Sequence, residues 1–200
     1  MNIHSKNPVA TKPEKRDEII RAALELIAEH GFHGAPMAMI AERAGVGAGT
    51  IYRYFENKDV LINELFRELH DKLSAVLGEG YETDKPIRER FFHLGTSLLR
   101  YFIKNPLVFR YIEQYFNSPY GDEFRRDKIM GNKEGCDFFR ELFDEGLSRQ
   151  EIKELPLVIL FGLSFGPLIA VTRDHIRGFI TLDDGLIVQT VSACWDGVKR

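Results

Sequence analysis

The chain has 200 residues, of which 44% are hydrophobic, and a formal net charge of −3. This size and apolar content suffice for one or two small domains with hydrophobic cores. The charge excludes a protein that binds polyanions through bulk positive charge, because residues 1–60 hold eight Lys/Arg and eight Asp/Glu. The N-terminus has no apolar stretch of signal-peptide length, so we expect a cytoplasmic protein.

The two cysteines, Cys136 and Cys194, lie far apart in the sequence and have no paired-cysteine or histidine pattern around them. This spacing argues against a disulfide scaffold and against a zinc site. We expect two buried structural thiols, with redox sensing as the alternative. No other cluster of metal ligands stands out, and no cofactor is predicted.

The first predicted helix follows a polar tail of about ten residues. Thr11 and Glu14 have the spacing of a capping box, and Gly31 is the expected C-terminal cap. The apolar residues that mark one face of this helix are Ile19, Ile20, Ala23, Leu24 and Ile27. The basic residues near its start either lie in solvent or reach a DNA backbone.

The next segment predicts two short helices joined by a tight turn. Apolar residues at helical spacing (Met37, Ile40, Ala41 and Ala44) are followed by Gly45-Val46-Gly47 and then by a second short helix. This pattern is typical of a helix-turn-helix, whose second helix enters the DNA major groove. On a helical wheel the packing side of that helix holds Ala48, Ile51 and Phe55. The outward side holds Gly49, Thr50, Arg53 and Tyr54, with Tyr52 at the margin.

The outward side chains suit contacts with DNA. Hydroxyl and guanidinium groups bind phosphates, and Arg53 can also pair with a guanine edge. Asn57 is the expected N-cap of the following helix, which puts Lys58 in its first turn. A cation there opposes the helix dipole, and a bound phosphate would compensate for it.

The pieces AGV, GT, IYRYF and NKDVL, in this order and spacing, resemble the N-terminal domain of the TetR/AcrR family of bacterial transcriptional regulators over about residues 14–65. The resemblance implies that Thr50, Tyr52 and Lys58 contact phosphates and that Arg53 and Tyr54 lie near the bases. It also implies a homodimer.

The sequence departs from the family pattern at several positions. Ala35, followed by Pro36, stands where a threonine usually caps the second helix, and proline suits a first helical position. Gly47 replaces a usual serine, and Ala48 stands where a polar side chain often reads a base. The resemblance therefore supports DNA binding without implying a particular operator sequence.

The remaining chain also reads as helical. A helix is predicted from Lys58 to about Leu77, with an apolar stripe of Leu61, Leu65, Leu69, Leu73 and Val76. Further helices are predicted at 86–104, 106–117, 122–146, 155–175 and 183–198. The predicted fold is therefore all-α, with a three-helix DNA-binding head at 11–57 and a larger effector-binding and dimerisation body at 58–200.

The body is rich in aromatic residues. Residues 91–165 hold eleven Phe and four Tyr, which suit ordinary core packing or a cavity for an apolar or aromatic effector. The predicted cavity walls are Phe92, Phe102, Phe109, Tyr115, Phe139 and Phe165. His93 or Gln114 would orient the ligand.

Residues 155–172 contain no charge, and such a segment either spans a membrane or is buried on every side in a soluble domain. Pro156, Gly162, Gly166 and Pro167 interrupt the segment, which favours burial between the cavity and a partner subunit. The last helix carries a stripe at helical spacing: Ile187, Val191, Cys194, Trp195 and Val198. We expect the stripes of these two C-terminal helices to pair with their copies in a four-helix bundle.

Two other functions fit parts of the sequence. Gly162-Leu163-Ser164-Phe165-Gly166 matches G-x-S-x-G, which would make the chain an esterase with Ser164 as nucleophile and His175 as base. That motif needs a parallel sheet, and no other segment predicts one.

A helix-turn-helix dimer that binds DNA constitutively is the closer alternative. We predict instead a homodimeric repressor that a small-molecule effector releases from a near-palindromic operator, and not an enzyme.

Overall fold

The computed structural model describes residues 12–130 and 138–200. Within these ranges the chain forms ten helices and one isolated β-bridge, between Ile152 and Lys199. The all-α prediction is therefore confirmed. The helices are α1 (Lys12–Gly34), α2 (Met37–Arg43), α3 (Ala48–Ile51), α4 (Lys58–Gly78), α5 (Ile87–Lys104), α6 (Pro106–Phe116), α7 (Pro119–Met130), α8 (Phe138–Ser148), α9 (Leu157–Ile176) and α10 (Asp184–Val198).

The first three helices form the head around a small apolar core. The core includes Ile19, Ile27, Ile40, Ile51 and Phe55, all fully buried. The predicted stripe of α1 is thus confirmed, except that Leu24 is only half-buried. Gly31 breaks α1, as predicted, because its φ of 76° lies in the left-handed region that favours glycine. One further helical turn follows it. Thr11 of the predicted capping box lies outside the described residues.

Several boundaries differ from the sequence prediction. Pro36 is the residue before α2 rather than its first residue, with an extended ψ of 153°. The predicted helix at 122–146 corresponds to α7 and α8, which are separate elements; residues 131–137, with Cys136, lie outside the described residues. In α4, Leu77 is buried and Val76 is exposed, so the stripe shifts by one position at its end.

The body packs α5 against α9 and α10. Here the predicted role of the α10 stripe is wrong, because its residues are buried inside the chain: Ile187, Val191, Cys194, Trp195 and Val198. They already pack on α5 and α9, which leaves them no surface for a partner chain.

Within the single chain α9 is buried on one side, and the expected cover of its other side by a partner subunit stays a prediction. One face packs inward through Leu160, Ser164 and Leu168, while Val158, Ile159 and Leu163 on another face are exposed. By length and composition α9 could cross a membrane, and 22% of its most apolar window is buried.

Candidate DNA-binding site and its connection to the body

The turn between α2 and α3 has the geometry that a helix-turn-helix needs. Gly45 adopts a φ of 65°, a left-handed conformation that a side chain would strain. The amide of Val46 donates to the carbonyl of Ala41 at 2.9 Å, which closes the turn. Gly47 then precedes α3 in an extended conformation. The backbone therefore reverses between the two helices within four residues, 44–47.

Two buried side chains fix the orientation of α3. Ile51 and Phe55 are fully buried in the core of the head, as the helical wheel predicts. Ala48, expected on the same packing side, is exposed instead. It is the first residue of a four-residue helix, and the packing of α3 is centred on Ile51, one turn later.

The opposite side of α3 and the turn that follows it present the predicted DNA-contacting residues. Gly49 and Arg53 are exposed, Thr50 and Tyr54 are half-buried, and Tyr52 is 55% exposed. The structure therefore brings these residues together on one accessible surface next to the turn. Hydroxyl, phenol and guanidinium groups on such a surface can donate hydrogen bonds to phosphates and base edges.

Lys58 lies at the start of α4, whose N-cap Asn57 accepts a hydrogen bond from the Val60 amide at 2.9 Å, as predicted. The Lys58 ammonium donates to the backbone carbonyl of Phe32 near the end of α1. Burial lowers the pKa of Lys58, and the nearby Asp59 carboxylate partly offsets that effect. Because an ammonium has three donors, Lys58 can hold α1 and still contact a phosphate.

One basic residue near the start of α1, Arg16, packs against α4 and the core of the head. Arg16 forms ion pairs with Glu64 at 2.8 Å and Glu68 at 2.6 Å on α4, and its guanidinium lies 5.5 Å from the centre of the Phe55 ring. Arg16 thus joins α1 to α4.

Helix α6 connects the head to the body, which the sequence analysis missed. The side-chain amide of Gln114 donates to the carbonyl of Ile27 on α1 at 2.9 Å. The buried Tyr111 hydroxyl donates to the carbonyl of Ile62 on α4 at 2.6 Å. Tyr111 also lies edge-on to Phe32, with ring centres 6.0 Å apart. The aromatic and amide residues of YIEQY are a local pattern that could have pointed to this role.

The predicted effector residues do not surround one cavity. Phe139 contacts Phe165 (ring centres 4.3 Å apart), and Phe102 contacts Phe109 (5.4 Å) in a different place. The other predicted effector residues are also dispersed. Tyr115 stacks on Phe66 with ring centres 3.7 Å apart, and the Phe92 ring lies 4.3 Å from the Arg88 guanidinium. His93 Nε2 lies 3.0 Å from the Leu77 carbonyl. Phe109 and Gln114 line a cleft of about 340 Å³ between α1, α6 and α9.

The esterase hypothesis is wrong, because Ser164 has none of the surroundings that it requires. The residue lies in the middle of α9 and is fully buried. His175 is on the same helix, where its Nδ1 accepts a hydrogen bond from the Leu182 amide at 3.1 Å. A nucleophile elbow needs a strand before the serine, and α9 provides helix on both sides.

Comparison with known proteins supports the same assignment over most of the chain. Residues 19–65 match the family model described as bacterial regulatory proteins, tetR family. Residues 86–199 match the model described as tetracyclin repressor-like, C-terminal domain. An uncharacterized HTH-type transcriptional regulator from Haemophilus influenzae is 29% identical over 190 residues, covering 94% of this chain and 98% of the relative.

Solved structures agree with the fold. A TetR family transcription regulator from Marinobacter aquaeolei has a TM-score of 0.81 at 24% identity, covering 94% of this chain and 96% of the other. The transcriptional regulator FadR from Bacillus subtilis, in complex with stearoyl-CoA, has a TM-score of 0.69 at 21% identity, covering 90% and 96%. The helix-turn-helix head and both matched domains lead to one conclusion: the chain belongs to the TetR family and is a DNA-binding transcriptional regulator, not an enzyme.

Proposed function

We propose that this regulator is a dimeric repressor that leaves a near-palindromic operator when a small apolar or aromatic effector binds to its body. The observation that carries the proposal is the pair of contacts made by α6, which holds α1 through Gln114 and α4 through Tyr111. A rearrangement of the body that moves α6 would therefore move the helices that support the DNA-reading surface. We assign residues 11–57 to DNA binding and 58–200 to effector binding and dimerisation.

The exposed face of α9 supports the dimer. Val158, Ile159 and Leu163 expose 42 to 45% of their surfaces, and so does Val188 on the neighbouring α10. Gly162 and Gly166 lie on the same face of α9, where an added Cβ atom would meet no atom within 4 Å. Small residues beside exposed aliphatic ones let two helices approach closely. A second copy of α9 and α10 would cover this face in a four-helix bundle.

A membrane would be the other apolar environment for this face. The inward face of α9 argues against a span, because Leu160 and Leu168 are fully buried in the packing of the body. Helix α9 also lies within residues 86–199, which match a repressor-like C-terminal domain. We therefore expect a cytoplasmic protein that works on chromosomal DNA.

The aromatic group around Phe139 and Phe165 supports effector binding in the body. Phe143 and Phe161 contact the same group, with ring centres 5.3 Å apart. Ser164 lies in this part of α9, and its Oγ is buried without a hydrogen-bond partner in the described structure. A buried hydroxyl without a partner is costly, and a ligand that bonded to it would remove that cost. Gln114, by contrast, already bonds to Ile27 of the head, and Tyr115 donates to the Asn63 side chain on α4 at 3.0 Å, so we assign both to transmission.

The switch we propose is a shift between two arrangements of the body. An effector that binds one arrangement better increases the population of that arrangement. Helix α4 would transmit the movement. It begins beside α3, which is the recognition helix of the helix-turn-helix, and it packs on the body through Leu65 and Leu69. Its movement would change the separation of the two recognition helices, which must match half-sites about 34 Å apart or a multiple of that distance.

The experiment is selection of operator sequences from a random double-stranded DNA library, followed by footprinting and measurement of the mass of the free protein and of the complex. We expect a near-palindromic site bound by two chains. Leu163→Glu should produce a monomer with greatly weakened operator binding, whereas Val76→Glu, at an exposed position on α4, should remain dimeric. A monomer bound to one asymmetric half-site would contradict the proposal.

Effector release is tested separately by a thermal-shift screen of apolar and aromatic compounds, with stearoyl-CoA included as the ligand of one protein of this fold. A compound that stabilises the protein should weaken operator binding, and operator DNA should weaken binding of that compound by the same factor. Equal affinity of the compound for free and DNA-bound protein would favour the constitutive DNA-binding dimer.

A further inference from the structure

The cleft between α1, α6 and α9 differs in chemistry from the aromatic part of the body. Its volume is about 340 Å³, near the lower end of the range for small-molecule sites. Three of the residues that line it are arginines: Arg110 on α6, and Arg173 and Arg177 at the end of α9. None of the three has a function predicted from the sequence.

The cleft has excess positive charge. Glu113 is the one carboxylate in the lining, and it forms an ion pair with Arg173. Arg110 and Arg177 are exposed, and neither forms an ion pair with another residue in the described part of the chain. Three guanidinium groups and one carboxylate give the lining a formal charge of +2, although the whole chain carries −3.

A purely structural explanation accounts for part of this arrangement. Arg173 and Arg177 lie at the C-terminal end of α9, where cations interact favourably with the helix dipole. That reason does not apply to Arg110, which lies in the middle of α6 and faces the same cleft from another helix. The end of one helix therefore does not explain why both Arg110 and Arg177 line this cleft.

The lining of the cleft also includes apolar residues. Ala28 and Phe109 are buried residues that form part of its lining, and half-buried Ile176 lies between the two α9 arginines in sequence. Guanidinium groups bind carboxylates and phosphates through two parallel hydrogen bonds. The geometry points to a binding site for a small organic anion, whose phosphate or carboxylate contacts Arg110 and Arg177 and whose short apolar part contacts Phe109 and Ile176.

Calorimetric titration of the full chain with hexyl phosphate tests this site. Hexanoate provides the carboxylate, hexanol removes the charge, and inorganic phosphate removes the apolar part. We expect saturable binding of hexyl phosphate or hexanoate, at least tenfold weaker binding of inorganic phosphate, and no binding of hexanol. The titration uses free protein, so its result does not depend on whether the repressor proposal is correct.

The decisive variant is Arg110→Gln combined with Arg177→Gln, which should weaken binding of the anion at least tenfold. The matched control is Arg67→Gln combined with Arg125→Gln, which removes two exposed arginines outside the cleft. Its net charge equals that of the decisive variant. Thermal unfolding checks that both variants fold. Two results would overturn the inference: no binding of either anion to the unmodified protein, or equal weakening in both double variants.

Discussion

The side-chain amide of Gln114 on α6 donates a hydrogen bond to the backbone carbonyl of Ile27 on α1, 2.9 Å away. Its second acceptor is the carbonyl of Ala28 at 3.4 Å. These carbonyls belong to the last regular turn of α1 before the break at Gly31. One amide of the body therefore bonds to two backbone carbonyls near the end of a head helix.

We predict that Gln114→Ala loosens the end of α1. Loss of the two hydrogen bonds should lower the free energy of unfolding by about 1 kcal/mol. Hydrogen exchange should become faster in a peptide that covers residues 24–34 and remain unchanged in α10. Asn117→Ala is the matched control, because in the described part of the chain its side-chain amide donates only to the carbonyl of Glu113 in the adjoining turn of α6. Equal exchange in the two variants would contradict a role for Gln114 in holding the head.

Tyr52 and Arg53 should differ in how they affect operator recognition. Tyr52→Ala should weaken binding by a similar factor on every operator variant, since a lost phosphate contact carries no base information. Arg53→Ala should relax the preference at one or two base positions, with a cost of about 1 to 3 kcal/mol on the preferred sequence. Binding to a panel of single-base operator variants measures both effects. A uniform loss for Arg53→Ala would show that it contacts only the backbone.

Lys58 should act both on folding and on DNA. Lys58→Met removes the donor to the Phe32 carbonyl and should lower the free energy of unfolding by about 1 to 2 kcal/mol. It should also reduce the slope of log affinity against log salt by about 1, because one phosphate contact is lost. Lys72→Met, at an exposed position further along α4, is the control. An unchanged salt slope would limit Lys58 to its structural contact.

Stability should fall at alkaline pH because of buried tyrosines. Burial raises the pKa of Tyr115 to about 12, above its ordinary value of 10.0, and raises the pKa of Tyr111 as well. Between pH 10 and 12 the unfolded chain loses the Tyr115 proton while the folded chain keeps it. The contribution of Tyr115 to the free energy of unfolding is therefore complete below pH 10. It decreases by about 1.4 kcal/mol per pH unit between pH 10 and 12.

Urea unfolding at pH 9 and pH 11 measures this effect. Tyr115→Phe is the matched variant, because it keeps the ring that stacks on Phe66 and removes the titrating hydroxyl. The stability difference between the wild type and this variant should shift in favour of the variant at pH 11. The same difference at both pH values would show that the hydroxyl does not titrate in this range.

Cys194 should be unreactive in the folded protein. Its thiol is buried on α10, and burial raises its pKa to about 11. Since the thiolate is the reactive form, alkylation by iodoacetamide at pH 8 should be slow and should accelerate in urea. The measurement uses the Cys136→Ser variant, so that any alkylation observed takes place at Cys194. Rapid alkylation without urea would revive the redox-sensing alternative.

The local parts of this protein could be predicted from the sequence. The break of α1 at Gly31, the turn at Gly45 and the capping of α4 by Asn57 depend on residues close together in the chain, and the structure confirms each. The outward placement of Arg53 is also confirmed, since helical periodicity and the burial of Ile51 determine it, whereas Tyr52, expected at the margin, is 55% exposed.

Contacts between distant segments could not be predicted in this way. Periodicity gives an apolar stripe on α10 but does not show whether its own chain or a second chain covers it; the packing of α5 and α9 decided that. The same limit applies to Gln114, which composition assigned to a ligand and which the fold pairs with Ile27, 87 positions earlier. Arg110 and Arg177 line one cleft for the same reason. Helix positions and caps are properties of neighbouring residues, whereas partners across helices are fixed only when the whole chain packs.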